Sequence, residues 1–348
     1  MYSRRGAYTV WVLAISAAAL AGYGDVSPGD YPSWEEREVH MWTNMVRVDP
    51  EEFFGEGNDW GADCGLAGFS ADERTPKTPL FYDYTLNDAG RFHSQDMWAN
   101  EHFSHSSSDG TSFPERMGRF YFDSGYIGEN IAMGYTSSMS AVVHGWMCSD
   151  GHRANIMNAD FNELGTGVVA AYYTQDFAAG MVETTSRIAM GNHSPKNPGD
   201  MVDFTVDHQG RELDSMEVVL DGASTEMFLT YGTERNGVFT VTINIDAGPE
   251  CHEYYFLSSL DGETETFPED GSYLFGADCD EPVMWIEDQL GAGGSASADW
   301  GEDDDKIAAC AHTATPSSSS ARLGMFGLLC GLIWVRRRTH TRPTHRLQ

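Results

Sequence analysis

Positive charge is scarce in this sequence. Its 348 residues carry 21 Lys and Arg against 53 Asp and Glu, a formal net charge of −32. Many of the arginines sit at the two ends (Arg4, Arg5, Arg322, Arg336, Arg337, Arg338, Arg342 and Arg346), so the body between them is more acidic still. Such a surface repels phosphate backbones and excludes nucleic acid as a partner. It suits a solvated body in a medium whose salt screens self-repulsion. No internal repeat, no H-E-x-x-H segment and no nucleophile-elbow pattern occurs. Neither a solenoid nor the common zinc-peptidase or serine-hydrolase centres are therefore written into the primary structure.

Long apolar runs are missing except near the termini. The opening "MYSRRGAYTVWVLAISAAALAG" places two arginines before an apolar stretch that closes on Ala19-Leu20-Ala21. This is the form of a secretory signal peptide over residues 1–21. Tyr23 stands where a lipoprotein would need cysteine, which excludes acylation through sulfur. Near the other end, "ARLGMFGLLCGLIWVRRR" combines an apolar run with an arginine cluster over residues 321–338. The run Leu323 to Val335 makes only about 20 Å of helix, short of the roughly 30 Å core of a bilayer. The positive-inside rule holds Arg336 to Arg338 in the cytoplasm and the acidic body outside, so this segment is expected to anchor or sort the chain at the envelope.

Cysteine is sparse but informative. Six cysteines in an exported chain point to disulfides. Of the three pairings open to Cys64, Cys148, Cys251 and Cys279, the one that keeps each bridge within its own half joins Cys64 to Cys148 and Cys251 to Cys279. That pairing is the expectation.

The hydropathy pattern divides the chain. Ser33 and Glu36 form a capping box, and Val39, Trp42 and Val46 follow at helical spacing, which predicts a helix with one buried face. "LNDAGRFHSQDMWA" repeats the period through Leu86, Ala89, His93 and Met97. A third helix is expected over Met139 to Met147 and a short turn over Gly151 to Met157. "ELGTGVVAAYY" and "FAAGMVETTSR" then read as strands joined by "TQD". Helices followed by strands make an α+β domain over 34–192. From Pro195 only strand and turn signals remain: "MVDFTV", "MEVVLDG", "NGVFTVTINI" and "YYFLSSLDG". They predict a second domain over 195–290, an all-β immunoglobulin-like sandwich. Residues 291–320, rich in Gly, Ser and acids, read as a linker too polar to fold.

Three glycine- and serine-rich segments carry the candidate chemistry: "HFSHSSSDG", "GYIGENIAMG" and "CSDGHRANIM". They hold His105, Glu129 and His152. Neutral imidazoles are good zinc ligands, and two of them leave coordination positions open. A carboxylate such as Glu129 accepts the other ring N–H and fixes the tautomer. Gly128, Gly134 and Gly151 are expected to supply the turns that bring the segments together. His93, His102 and His144 read as structural.

Residues 34 to about 192 resemble the CAP superfamily (cysteine-rich secretory proteins, antigen 5, pathogenesis-related 1) in its bacterial SCP-like form. The matching residues run in order: Asn44 and Arg47, Pro79-Leu80, Leu86 to Met97, "FSH" at 103–105, Asp109-Gly110, Arg116, "GENIAMG" at 128–134, Trp146, "SDGHRANIM" at 149–157 and "GTGV" at 165–168. The resemblance implies a three-layer α-β-α sandwich with a cleft where two histidines, here His105 and His152, face acidic residues, the first of them Glu129. Several relatives bind a divalent metal there, and some bind sterols or fatty acids. The second acid of animal members is missing, since Met147, Cys148 and Ser149 follow Trp146; Asp150 is a candidate replacement. The tail is similar to the C-terminal sorting signals of myxobacterial surface proteins (MYXO-CTERM type). The expectation is an exported, envelope-tethered binding module that takes a divalent metal, zinc first, at His105 and His152, with Glu129 and Asp150 contacting a small or lipid ligand. The alternatives are a metal-assisted hydrolase with Glu129 as base, and an adhesion protein with a vestigial cleft. The sequence carries no direct signature of enzyme activity.

Overall fold

The structure, a computed structural model, describes residues 32–55, 64–122, 126–180, 186–245, 251–269, 271–276 and 279. The leader at 1–21, the linker at 291–320 and the tail at 321–338 lie outside the described residues. No helix among the described residues is long and apolar enough to cross a membrane.

The first helix, α1 (Trp34–Val48), opens on the expected capping box: the Glu36 amide donates to Ser33 Oγ and the Ser33 amide donates to Glu36. After α2 (Pro50–Phe53) and β1 (Phe81–Tyr82) comes α3 (Tyr84–Ala99), capped by Asp83. The short α4 (Phe113–Met117), strand β2 (Ile127–Met133), a π-helical segment (Ser140–Trp146) and α5 (Asp150–Ile156) follow. Strands β3 (Glu163–Val169) and β4 (Tyr172–Ala178) close the first layer system. The sheet order is β1-β3-β4-β2. Alternation along these strands assigns two faces. Leu86, Ala89, Phe113, Met117, Ile127 and Ala178 pack on the α3 side. Val39, Val46, Trp146, Ile156, Leu164 and Phe177 pack on the other, beneath α1, the π-helical segment and α5. This is the α-β-α sandwich that was expected.

The "GTG" of β3 has a steric purpose. A Cβ on Gly165 would lie 2.0 Å from the Leu86 carbonyl carbon, and one on Gly167 would lie 2.1 Å from that of Gly90. Helix α3 therefore rests backbone to backbone on β3, a contact that only glycine permits.

The hairpin is placed differently from the sequence reading. The turn falls at Ala170-Ala171, where Ala170 takes φ +52°, and "TQD" lies inside β4, with Thr174, Gln175 and Asp176 fully buried. Polar residues that normally mark a turn are here satisfied or enclosed within the sheet: Gln175 donates to Thr43 on α1 (2.6 Å), and Thr174 and Ser94 share a hydrogen bond.

Strands β5 (Ile188–Ser194), β6 (Met201–Gln209), β7 (Ser215–Leu220), β8 (Ala223–Glu226), β9 (Phe228–Thr233), β10 (Asn236–Asn244), β11 (His252–Leu260), β12 (Glu263–Phe267) and β13 (Tyr273–Phe275) build two further sheets. Their orders are β5-β6-β10-β9 and β12-β11-β7-β8, with β13 beside β11. Met190, Phe204 and Phe239 of one sheet meet Val218, Phe256 and Phe267 of the other, which makes a β-sandwich. The disulfides Cys64–Cys148 and Cys251–Cys279 both form, one in each half.

The expected division near 192–195 runs through this sheet. β5 contains Asn192 and pairs with β6 from Ile188 to Ser194. Helix α1 is buried on both sides rather than one. Toward the first sheet, its Glu36 carbonyl accepts from Thr166 and its Thr43 accepts from Gln175. Toward the sandwich, Arg37 donates to Asn192 (2.9 Å) and stacks over Tyr273, Asn44 donates to Asp207 (2.7 Å), and Met41 enters the sandwich core. The change of composition near Pro195 marks a change of secondary structure, not the end of a core.

A chain ending at Asn192 is accordingly expected to melt non-cooperatively or aggregate, because Arg37, Met41 and Asn44 lose their partners. The chain through Cys279 should show one cooperative transition. Calorimetry of the two forms decides between them; a cooperative melt of the short form at the temperature of the long one would show that the layers fold apart.

Candidate functional site

Glu129 lies on β2 with its side chain on the α3 face, and it is 1 % exposed. His105 Nδ1 lies 2.7 Å from Glu129 Oε1, while Arg116 pairs with Oε2. Burial pushes the Glu129 carboxyl up, but Arg116 first, then His93 and His105, outweigh it and hold it at about 2. Ionised Glu129 can only accept, so His105 Nδ1 carries a proton, and in the neutral ring Nε2 keeps its lone pair. That Nε2 is shielded from solvent and has no hydrogen-bond partner among the described residues.

The loop carrying His105 is fastened by short-range chemistry. Gly110 takes φ +87° at the Asp109-Gly110 turn, and the Thr111 amide donates to Asp109. Ser108 is held by Asp96 of α3 through its amide (2.7 Å). Arg116, at the end of α4, donates to the His105 carbonyl (2.9 Å) as well as to Glu129. One guanidinium thus fixes both the backbone and the carboxylate that orient this histidine. The sequence motif contained Arg116, but nothing in its spacing indicated that role.

His152 comes from a separate segment, α5. It is 1 % exposed on α5; its Nδ1 shares a hydrogen bond with Ser149 Oγ (2.9 Å), and its carbonyl accepts from Asn130 Nδ2 (3.1 Å). Asn155 of the same helix donates to the Glu129 carbonyl (3.2 Å), which ties α5 to the strand bearing Glu129. Of the three glycines expected to form turns, Gly134 does so, with φ +89°. Gly128 lies within β2, where a Cβ would meet the Phe161 ring at 2.8 Å, and Gly151 lies within α5.

Asp150 does not join these groups. Its carboxylate is exposed, accepts from Arg153 (2.7 Å), and lines a separate cavity of about 750 Å³ with Phe69, Asp72, Glu73 and Met157. Glu129 is also unsuited to serve as a general base: both oxygens are engaged and its value near 2 makes it a weak proton acceptor.

Two residues beside Glu129 were not read as part of the site. His93 Nε2 donates to the Ser104 carbonyl (3.0 Å) and lies 4.0 Å from Glu129 Oε2. Burial lowers the ring to about 4, so it stays neutral. Asp176 is the cross-strand partner of Glu129. Its only outward sign was the "TQD" that read as a turn.

Among the described residues, no three His, Cys, Asp or Glu side chains gather as a group that could hold a metal ion. One feature does fit a ligand or ion, the unpartnered lone pair of His105 Nε2.

Residues 43–182 match the family described as "CAP: Cysteine-rich secretory protein family". The "Uncharacterized membrane protein YlbC" of Bacillus subtilis is 44 % identical over 142 residues, covering 41 % of this chain and 34 % of that protein. The "Uncharacterized protein YkwD" of the same organism is 40 % identical over 101 residues, covering 28 % of this chain and 39 % of its own length. The match therefore spans little more than a third of either relative. Among solved structures, an extracellular SCP-domain protein of Bacillus anthracis is 36 % identical, covering 29 % of this chain and 34 % of that one, with a TM-score of 0.28.

The Arg116–Glu129 pair generates a stability prediction. Arg116→Met leaves a buried carboxylate unpaired and should cost about 3–5 kcal/mol. Adding Glu129→Gln should recover much of that loss. Urea unfolding of the single and double variants near neutral pH measures both. Glu129's own contribution is complete above its ordinary value of 4.5 and is lost as pH falls toward 2.

Proposed function

We propose that the CAP domain spanning residues 43–182 serves an exported, envelope-tethered protein as a binding module, with His105 Nε2 as the donor its ligand meets. The single observation that carries this reading is the oriented, buried and unpartnered lone pair of that ring. The leader at 1–21 and the tail at 321–338 support export and tethering, as does the name of one relative as a membrane protein.

A divalent ion, zinc first, suits the donor set. His105 and His152 would hold it, and Glu129 would act from behind His105 rather than as a ligand. Bound there, the ion would supply Lewis acidity and attract an anionic or carbonyl-bearing group of a small or lipid ligand. The chain's own residues orient the imidazole and shield its Nε2 from solvent. Asp150 is assigned no part in this site. Metal-assisted hydrolysis remains the alternative reading, with His105 rather than Glu129 as the proton acceptor. The β-sandwich is read as presenting the CAP domain, and its protein partner is not assigned.

Titration calorimetry with zinc at mildly alkaline pH tests the reading. Changing His105 and His152 together to alanine should abolish binding with the fold intact. Glu129→Gln should weaken it less, and acidification should weaken it because protons compete for ring nitrogen. Equal affinity in wild type and double variant would assign the ion to the acidic surface.

Topology has its own check. An epitope placed in residues 291–320 should be open to added protease in intact or osmotically shocked cells; protection in both would put the acidic body in the cytoplasm.

A further inference from the structure

We propose that Asp176 is a positioning residue of this site: a protonated carboxyl group that donates to Glu129 and thereby helps hold the His105 ring with Nε2 as its acceptor atom. The proposal rests on the reading of His105 as the binding imidazole only for its functional meaning, not for its geometry.

Glu129 and Asp176 are register partners on β2 and β4. Directly opposed residues project on the same face, with Cβ atoms about 4.5–5.5 Å apart. Both lie in the layer between the sheet and α3, at 1 % and 0 % exposure. The helix backbone comes close there because Gly90 and Gly165 lack side chains; a Cβ on Gly90 would lie 3.6 Å from Asp176 Oδ2. Neither oxygen of Asp176 has a hydrogen-bond donor among the described residues.

The charge count decides the protonation state. Arg116 supplies one positive charge and Glu129 one negative. His93 is neutral, since burial lowers it to about 4. An ionised Asp176 would add a second negative charge, without donors, in the same dry layer, and two opposed carboxylates cannot both ionise cheaply. A protonated Asp176 instead turns the clash into an O–H···O⁻ hydrogen bond, among the stronger kinds. Burial, and after it the charge of Glu129, push the Asp176 carboxyl well above the ordinary carboxylate range. Glu129 then accepts from three sides: His105 Nδ1, Arg116 and Asp176. Three donors leave its carboxylate little freedom to rotate away from His105.

The test reads the ring directly, on the full-length chain without metal. Asp176→Asn keeps the shape and supplies an N–H donor; Asp176→Leu keeps similar volume and supplies none. Ring ¹⁵N shifts should show His105 in the Nδ1–H form in wild type and Asp176→Asn, and a loss of that form in Asp176→Leu. The side-chain carboxyl ¹³C shift of Asp176 in the wild type should be that of a neutral acid at neutral pH. An unaltered His105 in a folded Asp176→Leu would overturn the proposal, as would equal disturbance by Asn and Leu. An ionised Asp176 at neutral pH would overturn it without any variant, so a Leu form that fails to fold leaves the question decidable. Because no zinc is present, a failure of zinc binding at His105 and His152 is a separate result.

Discussion

A single buried ion pair, Arg116 with Glu129, organises the candidate site. Charge taken out of water is costly unless it is matched and hydrogen-bonded, and this pair is matched inside a layer closed by α3. Its consequences spread outward. The guanidinium also holds the His105 carbonyl, so the loop that follows α3 cannot move independently of β2. The carboxylate accepts from His105 Nδ1, which fixes the free lone pair on Nε2. Of its neighbours, His93 is kept neutral by burial against the pull of this carboxylate, whereas the charge of Glu129 adds to burial in pushing the Asp176 carboxyl up.

Helix α1 plays the same part for the fold as a whole. Seen alone it is a polar helix with a modest apolar stripe, yet it is buried on both sides. Its buried polar side chains each find a partner: Glu36 with Arg91 (2.8 Å), Arg37 with Asn192, His40 Nε2 with the Leu80 carbonyl (2.8 Å), Asn44 with Asp207 and Arg47 with the Thr78 carbonyl (3.0 Å). These matches join the α-β-α layers to the sandwich. They explain how a chain whose composition changes abruptly still forms a continuous packed body across that change.

Local rules were legible from the sequence because they are local. The capping box at Ser33, the buried positions of α3, the main strands of the sandwich and the in-half disulfide pairing all follow from spacing, periodicity or loop economy. His105 and Glu129 were legible for another reason: few residue types can do their chemistry, and their motifs are distinctive. What failed was the inference from polarity to exposure. "TQD" read as a turn because Thr, Gln and Asp usually face water, but all three are buried beneath distant segments, with Thr174 and Gln175 hydrogen-bonded to them. Asp150 read as a replacement acid, and its carboxylate instead serves Arg153 three residues on.

The sequence by itself determined the class of elements, their order, the acidic character of the body, and the histidines that head the list of candidates. Those depend on intrinsic preference and on the period of apolar residues, which are properties of short stretches. Only the tertiary structure decided which polar groups meet. The placement of Asp176 opposite Glu129, of His93 behind it, and of Arg116 between loop and strand depends on strand register and on α3 resting against glycine. Register and close approach are relations between segments far apart in the chain, and no single segment encodes them.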